Sequence, residues 1–77
     1  MRAKTGPRKT PDGYYVVVLE LEAGEREPIG EGALRELGIE REEAGRVVMY
    51  LTRSRRIRDL LLKELAKKGC RVEGWRS

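Results

Sequence analysis

The stretch "RVVMYLTRSRRIRDLLLKELAKKGC" (residues 46–70) decides the fold. Its opening, Arg46 to Thr52, is rich in β-branched and aromatic residues and reads as a strand. After Thr52 the apolar period changes. Ile57, Leu60, Leu61 and Leu65 recur at helical spacing, and Ser54 stands where an N-cap belongs. Lys67, Lys68 and Gly69 supply a basic last turn and a glycine stop, so a helix is predicted over residues 54–68. Beyond it "CRVEGW" (Cys70 to Trp75) alternates like a short strand. Two strands joined by a full helix should run parallel with a right-handed crossover.

Upstream, "YYVVVLELE" (Tyr14 to Glu22) starts apolar and ends alternating, which predicts another strand. "AGEREPIGEG" (Ala23 to Gly32) carries the glycines and proline of a loop, and "ALRELGI" (Ala33 to Ile39) reads as a short helix stopped at Gly38. "EREEAG" (Glu40 to Gly45) is expected to add a further helical turn. Residues 1–13, "MRAKTGPRKTPDG", show no apolar periodicity and read as a disordered basic arm whose deletion would leave the melting temperature unchanged. The expected architecture is a small two-layer α/β sandwich over residues 14–77, ordered strand–helix–strand–helix–strand.

A chain of 77 residues holds one small core. With one cysteine and no histidine, an internal disulfide and a zinc-type spacing are both ruled out, which suits a reducing setting. Cys70 is expected to be a small buried hydrophobe. No apolar run reaches the roughly 18 residues of a membrane span, so a cytoplasmic location and no membrane partner are expected. Asn and Gln are absent while 39% of residues are charged, a composition expected of a heat-adapted protein.

Charge is placed unevenly. Residues 1–13 carry +3, residues 14–45 carry −6 and residues 46–77 carry +7, for a net +4. Such asymmetry points to nucleic acid; the competing reading is internal pairing between the acidic middle and the basic end. The densest cluster is "TRSRRIR", with Arg53, Arg55, Arg56 and Arg58 where the helix begins. Cations at that end cost about 0.3 to 1 kcal/mol each, unless an anion is bound among them. Thr52, Ser54, the free helix amides and the guanidinium groups together suit a phosphate. Arg56, Lys63 and Lys67 share a helix face, and Arg2, Lys4, Arg8, Lys9 and Arg71 extend the basic surface. Trp75 adds a ring that can stack on a base.

No catalytic set, metal site or cofactor motif is expected; GxxxxGK[ST] is absent, and Glu20 with Glu22 read as the solvent face of a strand. The stretch "PIGEGALRELGIEREEAGRVVMYL" (Pro28 to Leu51) resembles the AbrB-type swapped-hairpin DNA-binding family, although its segment before the glycine is a residue short and a long helix replaces the closing strand. The element order is also similar to the TusA/SirA sulfur carriers, whose Cys-Pro motif is missing here. Neither resemblance assigns site residues. The expected function is phosphate-contacting nucleic-acid binding, DNA or RNA unspecified, with a homodimer as a further expected partner. Two alternatives stand beside it: a small His-free ribonuclease of toxin type, and a protein-interaction module using the acidic segment.

Overall fold

In β4 (Val47–Thr52) every second residue is buried, and β2 (Tyr15–Glu20) shows the same alternation toward its end. Strict alternation means one covered sheet face and one bare one. A computed structural model describes residues 1–74 and shows that arrangement. The remaining elements are β1 (Arg2–Thr5), α1 (Glu31–Glu36), β3 (Glu40–Ala44), α2 (Arg55–Lys67) and β5 (Arg71–Glu73). The five strands form one sheet in the order β3-β4-β2-β1-β5. Helix α2 lies across β2, β4 and β5, and α1 covers the β3 end of the same face. Val17, Leu19, Val48, Tyr50, Leu61, Leu62 and Leu65 fill the space between the two layers. The expected two-layer α/β architecture is therefore present.

The amino-terminal segment is a correction. Residues 2–5 are not a disordered arm: β1 pairs antiparallel with β2 and parallel with β5. Ala3 is 0% exposed and packs in the core, while Arg2 and Lys4 point to the bare face and bind Glu20. One apolar residue in four hides such a strand from a periodicity search, since its outward residues are cationic. Thr5 completes the strand by donating its hydroxyl to the Val16 carbonyl at 2.9 Å. Gly74 then passes so close that a Cβ there would sit 2.2 Å from the Thr5 carbonyl oxygen; with φ at +78°, only glycine fits.

"EREEA" is a second correction. It forms β3 rather than a helical turn, joined to β4 by the two-residue turn Gly45–Arg46, with Ala44 opposite Val47. Gly45 has φ +64°, as the first central residue of a type II′ hairpin requires. The parallel direction expected of the two strands joined by α2 is present. Between these strands, β4 and β5, lie β2 and β1.

Both helix stops follow the sequence. Beyond α1, the Gly38 and Ile39 amides donate to the Arg35 and Leu34 carbonyls; beyond α2, the Gly69 and Cys70 amides donate to Ala66 and Leu65. Both are Schellman closures around a left-handed glycine. The apolar stripe of α2 differs by one residue from expectation: Leu62 is buried and Leu60 is 42% exposed. No helix among the described residues is long and apolar enough to cross a membrane.

Removing residues 1–6 should abolish the cooperative thermal transition, because β5 loses the strand it pairs with and Ala3 leaves the core. Circular dichroism on the truncated chain tests this; an unchanged melting temperature would restore the flexible-arm reading.

Candidate nucleic-acid interface

The basic residues singled out by sequence do not form one surface. At the end of β4, Thr52 is buried and its hydroxyl oxygen accepts from the Ser54 amide at 3.2 Å. Ser54 in turn accepts from the Ile57 amide at 3.2 Å, the N-cap expected from its position. These two hydroxyls build the turn and cap the helix. The Ile57 amide, one of those offered to a phosphate, is thereby occupied.

Arg58 is turned inward and is only 4% exposed. Its Nη1 donates to the Gly6 carbonyl at 2.8 Å, and Nε and Nη2 donate to Asp59 Oδ1 at 3.1 and 2.9 Å. Its guanidinium lies 5.0 Å from the centroid of the Tyr15 ring. A guanidinium this deeply engaged ties the β1–β2 connection to α2, and Arg58 leaves the set of surface contacts for that reason. Lys9 lies 5.4 Å from the centroid of the same ring, which brings the basic loop after β1 beside the start of α2.

Arg55, Arg56 and Lys63 are exposed and line an open groove on the outer side of α2 with Asp59 and Leu60. Lys67, further along, is bound to Glu64 at 3.5 Å. Arg53 goes elsewhere. It stacks on Tyr14 at 4.6 Å from the ring centroid and donates to the Tyr14 hydroxyl at 3.3 Å, which donates to Glu40 at 3.5 Å. Arg2, Lys4 and Arg71 sit across the sheet from α2, on its bare face. Arg8 is exposed in the loop with Lys9, and Trp75 lies outside the described residues.

The acids of the middle segment bind other partners. Glu20 bridges Arg2 at 2.9 Å and Lys4 at 3.2 Å, and the Arg2 bond is the main cause of its lowered pKa. Glu27 is bound by Arg41, which also reaches Glu43 at 3.0 Å. Glu27 accepts a further bond from the buried Tyr50 hydroxyl at 2.8 Å. Among the described residues, no carboxylate lies in salt-bridge range of Arg53, Arg55, Arg56 or Lys63. Cys70 is buried, and burial pushes its thiol pKa up, away from reactivity.

The Glu27–Arg41–Tyr50 group escapes a reading of the sequence because Glu27 looks like a loop acid and Arg41 looks helical. The available signal is Tyr50 itself, a core-facing tyrosine whose hydroxyl needs a partner. No protein-family model matches the chain, and no curated protein or solved structure matches it significantly.

The Arg41 bond holds the Glu27 pKa below its ordinary 4.5. A depressed carboxylate adds stability that is complete above the ordinary value and lost as pH falls through the folded one. Glu27→Gln should therefore cost about 1.5 to 3 kcal/mol at neutral pH, the scale of a charge-assisted bond. Its deficit should shrink as the solution is acidified below that value. Denaturant unfolding across acidic pH measures this; a pH-independent difference would show that Glu27 acts by packing alone.

Proposed function

We propose that the protein binds nucleic acid through its phosphates, without reading base sequence, along the outer side of α2. Arg55, Arg56 and Lys63 are the proposed contacts there, with Arg8 and Lys9 reaching the same end from the β1–β2 loop. The observation that carries this reading is where the acids go. Glu20, Glu27 and Glu43 of the middle segment pair with β1 and Arg41, and Arg55, Arg56 and Lys63 form no ion pair among the described residues. Two arginines in the first turn of a helix that has no acid there repel the helix dipole and each other. A phosphate backbone turns that local cost into attraction, and guanidinium groups suit its oxygens. Exposed side chains on one helix face, with Leu60 the lone large apolar group in their groove, suit a backbone-tracking surface better than a base-reading one.

The double variant Arg55→Ala/Arg56→Ala separates a binding role from a purely structural one. Stability should hold level or rise by a few tenths of a kcal/mol, because two cations leave the wrong helix end. Affinity should fall by roughly 1.5 to 3 kcal/mol for each charge-assisted bond removed. The salt slope should drop by about 0.7 to 0.9 for each phosphate released. Arg58→Ala should do the reverse, costing stability through the orphaned Gly6 carbonyl while leaving Arg55, Arg56 and Lys63 in place. Titrations of duplex DNA, single strands and RNA at several salt concentrations test this. Unchanged binding by the double variant at low salt would sink the proposal, and cleavage of the RNA would favour the ribonuclease alternative.

A further inference from the structure

We propose that the bare face of the sheet is a docking surface for a second copy of this chain, packed face to face about a two-fold axis parallel to the strands. The inference concerns the side of the molecule opposite the α2 groove and does not depend on the nucleic-acid reading. Pairing registers arrange the bare face in rows. One row holds Ala44, Val47, Glu20, Arg2 and Arg71; the next holds Glu42, Met49, Val18, Lys4 and Glu73; a third holds Glu40, Leu51 and Val16. Val16, Val18, Val47, Met49 and Leu51 thus form an apolar strip on the middle strands. None of the five packs against the core cluster, and all remain partly exposed. A contiguous aliphatic strip bordered by charge is the pattern of an interaction site.

The charges choose the partner. On the β3 side stand Glu40 and Glu42, neither of which forms an ion pair among the described residues. On the β1–β5 side Arg2, Lys4 and Arg71 outnumber Glu20 and Glu73, which are already bound by them. A surface that is acidic at one edge and basic at the other complements itself when turned about the strand axis. That rotation sets β3 of one copy over β1 of the other. Within the second row, Glu42 then meets Lys4 and Met49 meets Val18; in the third, Leu51 meets Val16. An axis across the strands would put Glu42 against Glu42 instead. Facing sheets of this kind pack with strands within about 30° and side chains interleaved.

The available area fits a modest association. In this register β3, β4, β2 and β1 of each copy overlap, with 5, 6, 6 and 4 residues. At about 4.8 Å between strands and about 3.3 Å per residue they make a face of roughly 330 Å², or about 670 Å² for the pair. That is below the usual size of a stable interface, so a weak, concentration-dependent monomer–dimer equilibrium is expected.

Sedimentation equilibrium of the full chain from micromolar to millimolar concentration tests the proposal. The wild-type protein should dimerise, and Met49→Lys should be monomeric with an unchanged far-UV spectrum. Lys4→Glu and Glu42→Lys should each weaken self-association about tenfold, from two reversed pairs per dimer. Mixing those two variants should restore a heterodimer, since each then supplies the charge the other lacks. Wild-type protein that stays monomeric throughout, or a dimer that survives Met49→Lys, would overturn the proposal. Tighter self-association of Glu42→Lys, or no recovery on mixing, would overturn the strand-parallel axis.

Discussion

Between β2 and β5 runs a strand of four residues, Arg2–Thr5, whose backbone bonds on both sides join the helical crossover to the rest of the sheet. Strand β5 touches no other strand among the described residues, so α2 would return to an unpaired edge without β1. The small Ala3 side chain suits this position because it leaves room for α2 and its leucines above the sheet. Gly74 lets the chain pass the end of β1 at a distance no side chain permits. Strand β1 is then held from three directions: by ladder bonds, by Gly74 and by Arg58 reaching the Gly6 carbonyl.

The arginines of "TRSRRIR" therefore divide by geometry rather than by composition. Successive residues on a helix are turned by about 100°, so Arg58 lands on the buried side that Leu61, Leu62 and Leu65 share, while Arg55 and Arg56 land outside. Arg53 precedes the helix and follows the strand's alternation, which turns it toward Tyr14 instead. A buried guanidinium is tolerable only with its donors satisfied, and Arg58 has a carbonyl, a carboxylate and an aromatic face within reach.

Long, strongly patterned segments are legible from sequence. The β4 strand, α2, its Ser54 cap and both glycine stops follow from apolar period and capping chemistry, which act within a few residues. Strand β1 is not legible, because "RAKT" becomes a strand only through the neighbours that bury Ala3 and neutralise Arg2 and Lys4. Strand β3 is hidden for a related reason. "EREEA" has helical propensity, and its extended form is fixed by a hairpin turn at Gly45 and by Arg41 binding Glu27 across the loop. The order of strands is hidden too, since β2 and β1 can be inserted between the parallel β4 and β5 without changing the crossover that links them. At the candidate site, sequence locates the cation cluster but not its division, because spacing alone does not say which arginine the core will claim.

The charge asymmetry along the chain acquires a spatial meaning once these pairs are placed. The acidic middle segment could have neutralised the basic end, leaving an inert surface. It does not, because Glu20 lies on the bare sheet face beside β1, and Glu27 and Glu43 are held near β3 by Arg41. The α2 cations stand on the opposite side of the sheet from Glu20, so the sheet itself keeps the two populations apart. A face-to-face pair of sheets would preserve this separation. It would bring the acidic β3 edge of each copy over β1 of the other and leave both α2 surfaces outermost. Opposite charges would then be consumed inside the assembly while the two cationic grooves face solvent in opposite directions.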